Sequence, residues 1–326
     1  MSPKENSLRI IRFDRPERIV SGPPTVGLAY RGCNHEGYEG GGHDCPVGTT
    51  WTDIWGTLWQ KEHAGVMGFP RGNPLAEVAS LRSYRWPDPD DERIRGPIHQ
   101  SAAAVSCASR QEKFLCGSHR DTLWEKAYML VGMENMMVYF HLEPGFVREV
   151  LGRIMDFQMG IARHYLAAGI EMASLGDDLG TQLGPLLGAP IVREFLVPQY
   201  RRLFDLYRGR GVLINFHSCG RIDEMLPIFL DLGVDVLNPV QATANDLPAV
   251  RAATARRMAL QGGVSTRTVM AGPVEAIRDE VRARMRQLGQ DGGYFCGADQ
   301  GMPFPPRHVE ALNEAIDEFG RYPLEG

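Results

Sequence analysis

The sequence predicts an α/β fold of the TIM type, a (β/α)8 barrel that carries an irregular N-terminal extension. Two features lead to this prediction. From Leu123 onward, short apolar strands alternate with helical patterns that are mostly about 10–15 residues long, as in parallel βαβ units. The predicted strands also end, one after another, in polar clusters. A barrel collects such clusters from all of its strands, whereas a doubly wound sheet gathers them at one switch point.

The predicted elements follow one another in a regular order after residue 120. The predicted strands are Thr25–Tyr30, Ile170–Leu175, Val212–Phe216, Val234–Leu237, Met258–Gln261 and Gly293–Cys296. The predicted helices are Leu123–Leu130, Glu143–Ala168, Ile191–Arg208, Arg221–Leu232, Asp246–Thr254, Val274–Leu288 and Arg307–Phe319. We interpret residues 1–326 as one domain in which 121–326 form the regular β/α units.

Residues 1–120 are predicted to be an irregular elaboration of the barrel. Apart from the first strand, the clearest signal is the alternating aromatic stretch Trp51–Gln60, which precedes a second extended stretch, Gly65–Gly72. Together they predict a hairpin or a meander.

Composition and charge limit the classes of partner. The 326 residues are 43% hydrophobic and 23% charged, as in an ordinary globular protein, and the formal net charge of −5 offers no basic surface to nucleic acid. No apolar run approaches the roughly 20 residues of a membrane helix, and Met1–Ile11 lacks the apolar stretch of a signal peptide. We therefore expect a cytoplasmic protein without a nucleic-acid or membrane partner.

His217 and Cys219 form the sharpest local signal. Residues i and i+2 of an extended strand end point to the same face, so both side chains are expected at the mouth of the barrel. Imidazole nitrogen and thiolate sulfur are ligands that zinc prefers. The alternative is a chance pair that fills the core. Cys296, at the end of the last strand, is the natural third ligand, and Asp299 and Gln300 are rival donors.

Two further strand ends carry polar residues. Of the adjacent Asp177 and Asp178, one is expected to face the lumen, where it could transfer a proton, support a metal or orient a substrate. The alternative is a solvated turn that caps the next segment. Asn238 and Gln241 supply amide groups suited to positioning a substrate.

The N-terminal region contains a second candidate zinc site. The six cysteines do not suggest a disulfide framework in so long a chain, and free thiols or metal ligands are the better interpretation. Cys33, His35, His43 and Cys45 lie close together in a glycine-rich stretch and could hold zinc. Their spacing matches no zinc module.

These strand-end motifs, in this order, resemble the uroporphyrinogen decarboxylase superfamily. The match extends from about Phe13 to Pro323 and implies a (β/α)8 barrel with an N-terminal extension. The segments that carry it are Asp53–Trp59, Gly176–Gln182, His217–Arg221, Gly233–Gln241 and Gly292–Tyr294.

Within this superfamily the chain resembles the corrinoid-dependent methyltransferases more than the true decarboxylases. True decarboxylases carry a Met-Arg-Gln-Ala-Gly-Arg run that holds tetrapyrrole carboxylates, whereas here Arg15–Ile19 is followed by Val20–Pro24. Without those cations, a substrate with many carboxylates has little to neutralise it. The methyltransferases bind zinc through an H-x-C pair and a distant cysteine, which implies His217 and Cys219. The distant position corresponds here to residue 299 or 300, and Cys296 is displaced toward the strand.

The resemblance implies a zinc-dependent methyltransferase that moves a methyl group between a small substrate, such as a methyl ether, and a separate corrinoid protein. The corrinoid is assigned to a partner because the sequence has no D-x-H-x-x-G signature. The alternative is a metal-free decarboxylase of a polycarboxylate. The candidate catalytic residues are Asp178, Asn238 and Gln241, the candidate substrate contacts are Tyr30, Asp177 and Gln182, and the candidate metal ligands are His217, Cys219 and Cys296.

Overall fold

A computed structural model of the chain describes residues 1–33, 45–64 and 67–324. Its strands are β1 (Thr25–Leu28), β2 (Thr50–Thr52), β3 (Leu58–Gln60), β4 (Phe69–Gly72), β5 (Phe114–His119), β6 (Met172–Gly176), β7 (Leu213–His217), β8 (Val236–Val240), β9 (Ala259–Val264) and β10 (Tyr294–Ala298). Its helices are α1 (Pro3–Arg12), α2 (Glu92–Ala104), α3 (Cys107–Glu112), α4 (Trp124–Val131), α5 (Met133–Leu142), α6 (Pro144–Ala167), α7 (Ala189–Ile191), α8 (Val197–Arg208), α9 (Leu226–Leu232), α10 (Leu247–Thr254), α11 (Thr266–Ala271), α12 (Val274–Leu288) and α13 (Pro306–Phe319). None of the helices in these ranges is long and apolar enough to cross a membrane.

Seven strands form one parallel sheet in the order β1-β5-β6-β7-β8-β9-β10, with the helices around it. This confirms the predicted TIM-type α/β fold. The irregular segment that precedes β1 in the chain lies between β10 and β1 in space. Its Val20 carbonyl accepts a hydrogen bond from the Cys296 N–H (3.0 Å), and its Pro24 carbonyl accepts one from the Phe114 N–H (2.9 Å). Prolines 23 and 24 have no N–H to offer a ladder, which explains why this segment forms no regular eighth strand.

Side chains alternate between the inside of the sheet and the surrounding helices. At the amino ends of the strands the inward side chains form an apolar cluster, which α1 covers with Ile10 and Ile11. Further along the strands the inward residues become polar. The apolar cluster contains Phe114, Met172, Val236, Ala259 and Phe295, and the polar level contains Ser118, Ser174, Asn215, Asn238 and Gln261. The alternation therefore leaves a polar floor under the carboxyl end of the barrel.

The first 120 residues are more regular than the sequence suggested. In the part of this region that the structure describes, there are three α-helices and β5, a strand of the main sheet that was not predicted. Gly117 interrupts the apolar signal of β5, and a Cβ at that position would lie 2.7 Å from the ring of Tyr165. The predicted meander is present as the antiparallel sheet β2-β3-β4.

From residue 121 onward the predicted order of strands and helices matches the structure, and α12 has the predicted bounds. Helices α5 and α11 were not predicted. Gly132 adopts a φ of +92° where α4 ends and α5 begins, a conformation that glycine tolerates and other residues rarely adopt.

His119 is the last residue of β5, and its side chain lies in the buried layer between the sheet and the helices. Its Nδ1 is 2.7 Å from Gln158 Oε1, and its Nε2 contacts the hydroxyl of Tyr207. Burial lowers the pKa of His119 to about 4. The imidazole therefore stays neutral in the folded protein at neutral pH.

We predict that His119 makes the fold acid-sensitive. The His119 imidazole takes up a proton near pH 6.5 in the unfolded chain and only near pH 4 in the folded chain. Its contribution to the free energy of unfolding is therefore complete above pH 6.5 and is lost as the pH falls toward 4. The expected loss between about pH 7.5 and 4.5 is roughly 2 to 3 kcal/mol. Urea unfolding at both pH values should show a smaller loss in His119→Gln and an unchanged one in His141→Gln, an exposed control. An equal loss in the two variants would contradict this assignment.

Candidate active site

A cavity of about 860 Å³ opens at the carboxyl ends of the barrel strands. Its floor is the polar level of inward-facing side chains, and part of its wall comes from the meander through Trp59, Phe69 and Pro70. The carboxyl face is where the active sites of TIM-barrel enzymes lie, because the loops after all the strands converge there.

Asp178, His217 and Cys219 come together in this cavity. His217 Nε2 lies 3.1 Å from Cys219 Sγ and 3.5 Å from Asp178 Oδ1. One ligand atom from each residue lies within 4.8 Å of the others. His217 and Cys219 thus share a face, as the i, i+2 spacing predicted, and Asp178 joins them from the loop after β6.

The orientation of the His217 ring is set from the neighbouring strand. Its Nδ1 lies 3.0 Å from Asn238 Oδ1, and the Asn238 amide nitrogen donates to Asn215 Oδ1 at 2.6 Å. In this network Nδ1 carries the hydrogen and donates to Asn238, which leaves the lone pair of Nε2 directed at Cys219 and Asp178. An outer hydrogen-bond partner of this kind is typical of a metal-binding histidine.

Two glycines allow the loops that carry Asp178 and Cys219 to touch. Gly220 has a φ of +82°, and a Cβ on it would lie 2.4 Å from the carbonyl carbon of Gly180. A Cβ on Gly180 would lie 2.6 Å from the Cys219 carbonyl oxygen. This close approach lets the Cys219 N–H donate to Asp178 Oδ1 at 2.9 Å.

Cys219 has a second neighbour, Gln300, whose Nε2 donates to Cys219 Sγ at 2.8 Å. Burial, followed by the charge of Asp178, raises the pKa of the Cys219 thiol to about 12. The thiol therefore keeps its proton at neutral pH, and a metal ion that bound there would have to displace it.

The three side chains fit zinc. Imidazole nitrogen, thiolate sulfur and carboxylate oxygen are all zinc donors. Two donors on a tetrahedral ion with bonds of about 2.0–2.3 Å lie roughly 3.4–3.6 Å apart. The separations of 3.5 Å (His217 to Asp178) and 3.1 Å (His217 to Cys219) are within half an ångström of that range. Small side-chain rotations would complete the site.

Cys296, the expected third ligand, lies elsewhere. It is fully buried and belongs to the core between the sheet and the helices. Its neighbour Phe295 points inside the barrel, so the alternation of β10 turns Cys296 outward. Asp178 occupies the place beside His217 and Cys219 that the sequence interpretation gave to Cys296.

Asp177 and Tyr30, two expected substrate contacts, also lie outside the cavity lining. Asp177 is fully buried and accepts hydrogen bonds from the Leu123 N–H (2.9 Å), the Glu125 N–H (2.8 Å) and the Tyr200 hydroxyl (2.6 Å). It thereby caps the start of α4. Tyr30 is buried, with its ring centroid 5.5 Å from that of Phe157, and its side chain is part of the core.

Gln241, a candidate catalytic residue, and Gln182, a candidate substrate contact, support the Cys219 loop. Gln241 Oε1 accepts hydrogen bonds from the Gly220 N–H at 2.6 Å and from Gln182 Nε2 at 3.2 Å. Neither side chain lines the cavity, whereas Asn238 does. Gln241 therefore positions the loop.

Glu125 and Arg120 line the cavity and were not identified from the sequence. Burial, with the charges of Asp121, Asp177 and Asp178, raises the pKa of Glu125 to about 9, so its carboxyl group can donate a hydrogen bond at neutral pH. In sequence both residues look like ordinary charged positions near the start of a helix. The burial of Glu125 results from the packing of the loops after β5 and β6, whereas Arg120 is exposed.

The second candidate zinc site falls only in part within the described residues. His35 and His43 lie outside the described residues. Cys33 is buried, and its Sγ donates to the Ser118 carbonyl at 3.1 Å.

The family of the chain follows from its sequence. A model of the uroporphyrinogen decarboxylase (URO-D) family matches residues 70–319. The chain belongs to the URO-D family. Two uroporphyrinogen decarboxylases, from Burkholderia pseudomallei (strain 1106a) and Cellvibrio japonicus (strain Ueda107), are 30% and 27% identical to it over 181 and 177 residues. These matches cover 53% and 52% of this chain and 48% and 49% of the relatives, so the chain spans about half the length of the relatives that it matches.

A solved structure described as a methyltransferase from Methanosarcina mazei has the same fold as this URO-D family member. The two superpose with a TM-score of 0.72, and the match covers 98% of this chain and 99% of that chain. The sequence identity is 17%, so the similarity establishes the fold.

We predict that Gly220→Ala disrupts the site far more than a matched glycine substitution. Gly211 also has a positive φ, +71°, but nothing lies within 4 Å of its Cβ position. Gly211→Ala should cost about 1–2 kcal/mol of backbone strain, and Gly220→Ala more, because its Cβ also collides with Gly180. Urea unfolding measures both costs, and zinc titration should show weakened binding only in Gly220→Ala. Equal effects of the two variants would contradict the contact.

Proposed function

We propose that this protein is a zinc-dependent methyltransferase that moves a methyl group between a small substrate and a corrinoid carried by a separate protein. The observation that carries the proposal is the cluster of Asp178, His217 and Cys219 in the cavity. Zinc bound there would supply a Lewis acid beside the substrate.

The side chains around the cluster have distinct roles in this proposal. Asp178, His217 and Cys219 hold the ion, and Asn238 fixes the tautomer and the ring orientation of His217. Gln241 acts indirectly, because it accepts a hydrogen bond from the Gly220 N–H and so holds the loop that carries Cys219.

The cavity suits a small substrate with an oxygen-bearing group, such as a methyl ether. The floor offers amide and hydroxyl groups, including those of Ser174 and Asn215, that can form hydrogen bonds to such a molecule. The wall offers the rings of Trp59, Phe69 and Tyr128, which can pack against its apolar part.

The rim of the cavity suits a protein partner. Leu183, in the loop after β6, is 87% exposed, and Met302, which follows β10, is 51% exposed. Apolar side chains exposed on the loops at the carboxyl face can pack against a docked protein. In this proposal the corrinoid protein docks there and presents its cobalt to the cavity. The description of the Methanosarcina mazei structure as a methyltransferase supports the methyltransferase part of this proposal.

The second candidate function is metal-free decarboxylation of a polycarboxylate, which the names of the matched relatives favour. The charges of the cavity argue against it. Among the described residues of the lining, Arg120 supplies the one guanidinium, against the carboxyl groups of Asp121 and Asp178. A polycarboxylate needs several cations. Release of carbon dioxide from such a substrate by metal-free protein would support this second function.

We predict about one zinc per chain in the purified protein, lost in Cys219→Ala and retained in Cys296→Ala. Cys219 is in the cluster, whereas Cys296 is buried in the helix-facing core. Elemental mass spectrometry of the three proteins gives the result. Loss of zinc in Cys296→Ala, with an unchanged circular dichroism spectrum, would restore Cys296 as a ligand. Absence of zinc from all three, after zinc is added back, would exclude the zinc mechanism.

We also predict that the zinc protein, given a reduced corrinoid protein and a panel of methyl ethers, produces the absorption spectrum of methyl-cobalt. His217→Ala should abolish the signal, because it removes a ligand. Absence of methyl-cobalt with every donor of a broad panel would contradict the methyltransferase assignment even if zinc is bound.

A further inference from the structure

We propose that the metal site of this protein binds an oxygen ligand in preference to a thiol, and that the Gln300 amide contributes to this preference. The inference rests on the proposed metal binding at Asp178, His217 and Cys219. It narrows the substrate to a compound that presents an ether, hydroxyl or phenolic oxygen to the metal.

The composition of the donor set favours an oxygen ligand. The cluster offers one sulfur, one nitrogen and one carboxylate oxygen. Thiolate ligands make a bound metal softer, and carboxylate ligands make it harder. Cys219 is the one thiol among the described residues that line the cavity, so the site has no second thiolate to soften the metal. A harder metal favours oxygen over sulfur as its next ligand.

The hydrogen bond to that single sulfur adds to the preference for oxygen. Gln300 Nε2 donates to Cys219 Sγ at 2.8 Å. A hydrogen bond to a ligating sulfur withdraws electron density from it and weakens its donation to the metal. The metal becomes more electrophilic and gains more from a hard oxygen ligand. Gln300 thus tunes the metal through Cys219.

The surface beneath the cluster offers hydrogen-bond donors to a substrate. In the described part of the chain, the Ser174 hydroxyl and the Asn215 amide nitrogen line the cavity and donate no hydrogen bond to protein. Hydroxyl and amide donors bind oxygen acceptors well, whereas sulfur is a weak acceptor. Donors that are available in a cavity therefore add to the preference for an oxygen-bearing substrate.

The test is a titration of the cobalt(II)-loaded protein with two ligands of similar acidity, phenol and benzyl mercaptan. Cobalt(II) reports an added ligand through its visible d–d bands, and each thiolate adds a charge-transfer band in the near ultraviolet. We expect the resting spectrum to show one thiolate and phenol to bind about tenfold more tightly than the mercaptan, a difference of about 1.4 kcal/mol.

Two substitutions separate the effect of the donor set from the effect of the Gln300 hydrogen bond. Asp178→Cys replaces the carboxylate ligand with a second sulfur. The charge-transfer intensity should therefore rise, and the preference of the metal for an added ligand should move toward benzyl mercaptan. Gln300→Leu removes the N–H from Cys219, so the charge-transfer band should shift to lower energy and phenol should bind more weakly. Gln290→Leu, at an exposed position, is the matched control. It should change neither the energy of the charge-transfer band nor the affinity for phenol.

The outcomes distinguish this inference from the proposed function. Cobalt binding with tighter binding of the mercaptan to the wild type overturns the oxygen preference and leaves the metal site intact. An unchanged spectrum in Gln300→Leu overturns the role of Gln300. Failure of the protein to bind cobalt or zinc overturns the metal site and, with it, this inference.

Discussion

The candidate site depends on one close contact, between the backbone of Gly180 in the loop after β6 and that of Gly220 in the loop after β7. A side chain at either position would collide with the other loop. Because the two loops touch, the Cys219 N–H reaches the carboxylate of Asp178, and that carboxylate lies 3.5 Å from His217 Nε2. The geometry of the cluster is therefore held by backbone packing as well as by its own side chains.

The surrounding polar groups give the cluster its chemical character. Asn238 orients His217, and Gln300 donates to Cys219. Each of these amides acts on an atom that would bind the metal, so each can tune the metal without touching it. The floor below is uncharged and can form hydrogen bonds, whereas carboxyl groups outnumber the single guanidinium in the described part of the lining. This combination suits an uncharged, oxygen-bearing molecule better than one with many carboxylates.

Much of the fold could be predicted because parallel β/α units leave regular patterns of apolar residues. The bounds of α12 and the order of elements after residue 121 are examples. Strand β5 was missed because Gly117 replaces an apolar residue where the ring of Tyr165 lies against the backbone. The need for glycine at this position comes from Tyr165, about 50 residues away in sequence. A local pattern of residues cannot reveal a contact of that kind.

The sequence by itself determined the barrel and the pairing of His217 with Cys219, because residues two apart in a strand must share a face. Only the tertiary structure decided which third side chain joins these two in the cluster. The same alternation turns Cys296 toward the helices, since Phe295 fills the inside of the barrel. It also divides two adjacent aspartates: the first caps α4, and Asp178 reaches the cluster. These choices depend on contacts between strands and loops that are distant in sequence.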